Sequence, residues 1–371
     1  MIVKILKIIF LYPISLIYGA VINIRNAMYD LKILKSNTFD IPIISIGNLT
    51  VGGTGKTPTT EFLIKNLTSE YKVAILSRGY KRKTKGFILA NEKSTVDDIG
   101  DEPFQIKQKF PEIIVAVDEN RSRGIKKLQE IKPEIDLIIL DDAFQHRKVT
   151  PGFSILLLDY TQPFLEDHYL PYGRLRDSIK EAHRANTILV TKAPRNIKPI
   201  EMRILAANVS LKPYQTLYFS SINYKNLLPV YNNANKPISI NEINNNKLSI
   251  ILVSGIGNIA PVLSFCEKQS NKLIHIKFED HHKYTEKNIS DIIKKYNSLE
   301  DQNKIIITTE KDAVKIKNII CENETVKNNF YYCPIEIEIL NNECDDFKQQ
   351  IKDYIIKDKE QHRFLTSKRQ Y

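Results

Sequence analysis

Ile41-Pro42-Ile43-Ile44-Ser45-Ile46-Gly47-Asn48-Leu49-Thr50-Val51-Gly52-Gly53-Thr54-Gly55-Lys56-Thr57 is the stretch that decides the fold. An apolar, β-branched run gives way to a glycine-rich turn, and then to a helical pattern over residues 57–67. Glycines let backbone N–H groups curl around phosphate oxygens, while the following helix N-terminus adds its dipole. In such a loop Lys56 reaches the β- and γ-phosphates of ATP and the Thr57 hydroxyl binds Mg²⁺. The order departs from strict G-x-x-x-x-G-K-[ST], because Thr50 stands at the first glycine position. Gly52 and Gly53 keep flexibility inside the loop. With strand and helix flanks both present, a variant phosphate loop spanning Thr50, Val51, Gly52, Gly53, Thr54, Gly55, Lys56 and Thr57 outweighs a glycine turn with a chance lysine.

Outward from this loop, short apolar runs alternate with helical stretches. The expected strands are 41–46, 73–76, 113–117, 137–140, 155–158 and 188–190, several continuously apolar as in parallel strands buried on both faces. Residues 57–67 and 122–131 read as helices between them. The alternation predicts an α/β fold, a P-loop NTPase-like, doubly wound, mostly parallel sheet. Residues 224–247, rich in Asn and with Pro229 and Pro237, read as an inter-domain linker. A smaller α/β domain is expected over 248–371, with strands at 248–253, 273–278 and 304–308 and helices at 259–268 and 286–296. The expected division is therefore 1–30, 31–223, 224–247 and 248–371, with a solvated lysine-rich tail after Lys357.

Residues 5–22, ILKIIFLYPISLIYGAVI, are apolar almost throughout. A full span needs about 20 apolar residues, and Lys7 and Pro13 interrupt this run. A membrane-associated helix lying partly in one leaflet, with Lys4 and Lys7 snorkelling to headgroups, suits it better. A secretory signal peptide is the competing reading, but a phosphate loop needs cytoplasmic ATP. A buried core helix is the third. The 371 residues carry a formal net charge of +11, which favours an anionic partner without choosing among phosphate, nucleic acid and membrane. The four cysteines form no C-x-x-C pair, so neither a disulfide framework nor a zinc site is indicated.

The apolar run 137–140 ends in Asp141-Asp142, where a strand-end carboxylate would hold the metal. Mg²⁺ takes one or two carboxylates and keeps several waters, so both need not be direct ligands. Gly100-Asp101-Glu102-Pro103 places two acids at a helix start, which by itself reads as capping. Asp280-His281-His282 is equally open: a metal site, a cap or a plain loop. A carboxylate and an imidazole that met across a cleft would make an oriented base for a hydroxyl. Arg78, Lys81, Arg82, Lys83 and Lys85 follow the second strand, and Arg121 and Arg123 precede a helix. Lys83 and Lys85 read as a solvated face. Arg78 and Arg121 follow strand ends on the edge where open α/β sheets bind ligands, which makes them phosphate-holding candidates.

Together these segments resemble the tetraacyldisaccharide 4'-kinase family, the lipid A kinases of Gram-negative bacteria. The resemblance rests on the loop from Gly47 to Pro58, Ser77-Arg78-Gly79-Tyr80, Gly100-Asp101-Glu102-Pro103, and Asp141-Asp142-Ala143-Phe144-Gln145-His146. Val190-Thr191-Lys192, Ser254-Gly255-Ile256-Gly257-Asn258, Asp280-His281 and Thr308-Thr309-Glu310-Lys311-Asp312-Ala313 continue it in the family's order. It implies γ-phosphate transfer from ATP, with Mg²⁺, to the 4'-hydroxyl of tetraacyldisaccharide 1-phosphate. It also implies Asp101 and His281 as a base dyad, Lys56 and Thr57 at phosphate and Mg²⁺, Asp141 and Asp142 serving the metal, and Arg121 and His146 near the nucleotide. The family commonly has Gly at Ala143, and His282 is assigned no role. The implied setting is the cytoplasmic face of the inner membrane, with a membrane glycolipid as substrate, an anionic membrane surface as contact, and neither nucleic acid nor an obligatory protein partner. Two rivals share the phosphate loop: an amide ligase that activates a soluble acid, and a membrane-attached nucleotide switch. A guanine-reading N-K-x-D is not found; Thr191-Lys192-Ala193-Pro194 matches only at the lysine.

Overall fold

A computed structural model describes residues 2–162, 167–231, 236–246 and 248–368. In chain order the strands are β1 (Ile43–Asn48), β2 (Val73–Ser77), β3 (Ile88–Leu89), β4 (Ile114–Val117), β5 (Leu137–Leu140), β6 (Phe153–Asp159) and β7 (Thr187–Thr191). There follow β8 (Thr216–Tyr224), β9 (Leu228–Pro229), β10 (Ser249–Ser254), β11 (Lys272–Lys277), β12 (Lys304–Thr309), β13 (Phe330–Cys333) and β14 (Ile335–Ile339). They divide between two compact units, Met1–Ile222 with Ile337–Tyr371, and Asn223–Glu336.

The first unit carries a nine-stranded sheet in the order β14-β8-β7-β6-β1-β5-β2-β4-β3. The pairings of β1 with β5 and β6, β2 with β4 and β5, and β7 with β6 and β8 are all parallel. Every residue of β1, β2, β5, β6 and β7 is buried, which is why these strands are mostly apolar without a polar alternation. Ile44 and Ile46 of β1 enter one core cluster, while Ile43 enters the cluster on the opposite face. From β1 the chain builds outward through β2, returns to β5, and then crosses to β6 on the other side of β1. The order thus reverses at β1, and the crevice at the carboxyl ends of strands beside such a reversal is where open α/β sheets bind ligands.

The second unit holds five strands in the order β11-β10-β12-β13-β9, parallel except where β9 meets β13. The helix Glu286–Asn297 covers it with Ile289, Ile292 and Tyr296, and Thr285 caps that helix by accepting from the Asn288 N–H.

Two expected boundaries are corrected. Residues 224–247 do not form a free linker: β9 pairs with β13, Ile240–Asn246 is helical, and Leu227 and Ile243 are fully buried. Residues 232–235 and 247 of that segment lie outside the described residues. Nor does the second unit run to the C-terminus. The chain returns to the first sheet as β14 and the helix Cys344–Lys368, because Phe347, Ile351 and Ile355, spaced i, i+4, i+8, present one apolar stripe to the first core. The Tyr354 hydroxyl accepts from the Ile43 N–H (2.8 Å) and lies 3.2 Å from the Ile43 carbonyl, pinning that helix to β1. The expected tail after Lys357 is helical to Lys368, with Lys359 paired to Asp136 at 2.6 Å; residues 369–371 lie outside the described residues.

The N-terminal helix, Ile2–Asp30, is continuous through Pro13. One side is tied to the first unit: Ser15 and Tyr18 donate to the carbonyls of Tyr169 and Arg176, Arg25 to that of Gln145, and Asn26 to Asp177. Gly19 allows this approach, since a Cβ there would stand 2.4 Å from the Tyr169 ring. The remaining surface exposes Ile9, Phe10, Ile14, Leu16, Ile17, Val21 and Ile24. Ile8–Asp30 is long and apolar enough to cross a membrane by length and composition alone. The side chains of Lys4 and Lys7 lie outside the described residues.

Candidate active site

The phosphate loop leaves the carboxyl end of β1 and enters the helix Lys56–Leu67. Gly52 and Gly55 have φ of +114° and +85°, conformations that L side chains rarely adopt, and Gly55 directly precedes the helix. The space beside Gly52 and Gly53 is open, with no atom within 4 Å of where a Cβ would stand. Neighbouring segments hold the loop from both sides: the Val51 N–H donates to the Arg174 carbonyl (2.8 Å), and the Thr191 hydroxyl to the Thr54 carbonyl (2.9 Å). Thr57 lies half-buried in the first helical turn.

Lys56 Nζ stands 3.7 Å from Asp142 and 3.4 Å from the Asn48 side-chain oxygen. Arg176 donates two bonds to Asp142, at 3.1 and 2.8 Å, and a third to Asn48. Burial alone would raise the Asp142 carboxyl; Lys56, Arg176 and Arg121 instead hold it well below the usual carboxylate range. Asp142 also has a left-handed φ of +48°, a strained backbone of the kind that gathers at functional sites.

Asp141, at the end of β5, is 1% exposed. One of its oxygens lies 3.4 Å from the Thr60 hydroxyl, and the other is buried without a hydrogen-bond partner among the described residues. Burial, with Glu102 and Asp142 adding, raises its carboxyl to about 7. A hard oxygen donor left unpaired in a buried setting is what a divalent cation satisfies. The donor chemistry of Asp141, Asp142 and Thr57 therefore fits Mg²⁺.

Arg121 is 2% exposed and donates to the carbonyls of Asp118 and Asp141. Burial lowers its guanidinium to about 10 against the support of Asp142 and Asp141. The Arg121 N–H donates to His146 Nε2 at 3.3 Å, so that nitrogen is the unprotonated one. Burial, together with Arg121, Lys148, Arg25 and Arg78, pushes the imidazole down to about 4. A base whose folded pKa lies below its unfolded value binds protons preferentially when unfolded, so stability is lost as pH falls from about 6.5 towards about 4. A His146→Gln variant is accordingly expected to lose less melting temperature than wild type across that window; parallel pH profiles would remove His146 as the cause.

Arg78 is exposed at the end of β2. Asp101 opens the helix Asp101–Lys109 behind Gly100, whose φ of +89° and tight approach to the Tyr80 carbonyl exclude a side chain. That helix is bound to the phosphate-loop helix through buried Glu61, which accepts from Gln105 (3.1 Å) and pairs with Lys109 (2.7 Å). His281 belongs to the second unit, in the loop after β11, with φ +62°. The structure thus gathers Lys56, Thr57, Asp141, Asp142, Arg121 and His146 at one edge of the first sheet. Arg176 and Asn48 join them there, and sequence reasoning missed both. Arg176 lies in a stretch without strand or helix period, where an arginine reads as solvated.

The family model for tetraacyldisaccharide-1-P 4'-kinase matches residues 7–355. A tetraacyldisaccharide 4'-kinase of Bacteroides thetaiotaomicron is 48% identical over 93% of this chain and 92% of its own length. One of Flavobacterium psychrophilum is 44% identical over 93% of this chain and 96% of its own. A crystal structure of LpxK from Aquifex aeolicus in complex with ATP is similar over 93% of this chain and 98% of that one, at 28% identity and a TM-score of 0.70.

Proposed function

The chain belongs to the tetraacyldisaccharide-1-P 4'-kinase family, and from that premise we propose that it transfers the γ-phosphate of ATP to the 4'-hydroxyl of tetraacyldisaccharide 1-phosphate in lipid A biosynthesis. The observation that carries the reading is the open glycine loop with Lys56 beside Asp142, next to the unpaired Asp141 oxygen. Phosphoryl transfer asks for positioning and charge neutralisation more than for covalent chemistry. The loop N–H groups hold the phosphates, and Lys56 neutralises the charge that develops on the transferred group. Arg78 and Arg121 are assigned to phosphate oxygens, and His146, kept neutral, to the nucleotide's surroundings. Thr57, Asp141 and Asp142 would hold Mg²⁺, which supplies charge neutralisation across the phosphates. Asp101 and His281 together supply the base that takes the 4'-hydroxyl proton; the support is the motif match at both positions and the anchoring of each within its own unit.

A lipid substrate stays in its bilayer, so the enzyme works at a membrane, and we assign it to the cytoplasmic face of the inner membrane, where ATP is available. The exposed row on the N-terminal helix supplies apolar burial, and the chain's positive charge supplies attraction to anionic headgroups. The double substitution Ile9→Glu and Ile17→Glu spares the bonds from Ser15, Tyr18, Arg25 and Asn26, and is expected to weaken sedimentation with anionic vesicles about tenfold or more, at roughly 0.8 kcal/mol per methylene withdrawn. Unchanged sedimentation would place the membrane contact elsewhere.

The function is tested by ³²P transfer from γ-labelled ATP with Mg²⁺ to tetraacyldisaccharide 1-phosphate in detergent micelles. Labelled lipid is the expected result. Folded, ATP-binding protein that labels no lipid would refute the assignment.

A further inference from the structure

The segment Thr308-Thr309-Glu310-Lys311-Asp312-Ala313 plays no part in the reaction as described so far, yet it packs directly behind the His281 loop. Strands β10, β11 and β12 are parallel, so their carboxyl ends share one edge of the second sheet. Gly255 follows β10, the His281 loop follows β11, and the helix Glu310–Ile316 follows β12. Asp312, in the first turn of that helix, is fully buried. One of its oxygens accepts the Gly255 N–H at 2.9 Å and the Thr309 hydroxyl at 2.7 Å. The Gly255 carbonyl in turn accepts the His281 N–H at 3.1 Å.

A buried carboxylate thus holds Gly255 by its N–H, and the carbonyl of the same residue holds the backbone of His281. The fixing is needed. His281 sits at φ +62°, a left-handed conformation that an L-residue with a bulky side chain adopts only where its surroundings hold it. The neighbouring residue is clamped too: the His282 N–H donates to the Glu279 carbonyl, its ring stacks on Phe278 at 4.5 Å, and its Nε2 lies 3.0 Å from Asn288 Oδ1. Gly255 is closely packed: a Cβ would stand 3.1 Å from both Asp312 and the Glu279 carbonyl, so a neighbour would have to give by a few tenths of an ångström. From the same helix Lys311 brings its ammonium to 3.4 Å of His281 Nε2.

We propose that Asp312 is a positioning residue for His281, setting the imidazole's place through the backbone of Gly255 while touching neither nucleotide nor lipid. This rests on the assignment of His281 to the base.

The test is a double-mutant cycle on full-length protein with Asp312→Ala and His281→Ala, read as lipid phosphorylation at saturating ATP and lipid. Both bonds fall on one carboxylate oxygen, so asparagine could keep them through its amide oxygen, whereas alanine removes both. Asp312→Ala is expected to lower kcat about 10- to 100-fold, the scale of a misplaced reacting group, with the KM for ATP changed less than about twofold. In the His281→Ala background it should change kcat by less than about twofold, because its effect runs through the missing ring. Equal losses in both backgrounds would overturn the inference while leaving His281 in the mechanism. A wild-type kcat in His281→Ala alone would overturn both. Should Asp312→Ala fail to fold, Thr309→Val removes one of the two donors to the same carboxylate, and the same non-additivity with His281→Ala is required of it.

Discussion

Replacing Lys56 with alanine is expected to lower lipid phosphorylation by about 10²–10³ or more, the scale for losing one preorganised charge at a transition state. The fold should survive. Lys56 is exposed enough to reach solvent, its neighbours Asn48 and Asp142 are both held by Arg176, and the loop is pinned by Arg174 and Thr191 through main-chain atoms. Asp142 therefore keeps a bidentate partner when Lys56 is lost, and no orphaned buried charge is created. The measurement is the ³²P assay beside thermal melting. A melting curve like that of wild type with transfer abolished assigns the loss to chemistry, whereas transfer within about tenfold of wild type would remove Lys56 from the charge-neutralising role.

Asp101→Ala is expected to slow turnover about 10²–10⁴-fold, the range for a general base, while ATP binding is largely kept. The reasoning is structural. The helix that begins at Asp101 is tied to the phosphate-loop helix by Gln105 and Lys109 on Glu61, bonds that this substitution leaves in place. Its Gly100 turn is likewise a backbone feature. An unchanged KM for ATP with a depressed kcat is the expected signature, and near-wild-type turnover would take Asp101 out of the mechanism.

Much of the first sheet was legible from sequence because its central strands are buried on both faces, so Val, Ile and Leu crowd into runs such as 137–140. Strands at or next to the sheet edges carry no such run. The two-residue β3 has nothing periodic to read, and β8 mixes Ser220, Ser221 and Asn223 among its apolar residues. The C-terminal return was hidden for a different reason. Phe347, Ile351 and Ile355 announce an amphipathic helix, but helical spacing does not say which of two cores the stripe meets. At the site, the loop, the paired aspartates and Arg121 stand beside strand ends, where pattern and chemistry coincide. Arg176 is recognisable only once its partner Asp142 is seen in space. Asp101 and His281 rested on motif resemblance, since an acid at a helix start and an imidazole in a loop have bland explanations that spacing alone cannot displace.

The pinning of Ile43 by Tyr354, 311 positions later, has a consequence for how the chain is made. A ribosome finishes the phosphate loop, both aspartates and the whole second unit before the helix that covers β1 leaves the exit tunnel. At about 5–20 residues per second the nascent first unit therefore spends many seconds with Ile44, Tyr218 and their neighbours bare of Phe347, Ile351 and Ile355. Its apolar N-terminal helix has emerged long before. Early capture of that helix by a bilayer would hold the unfinished chain at the membrane, away from other nascent chains, until the last residues arrive to close the core.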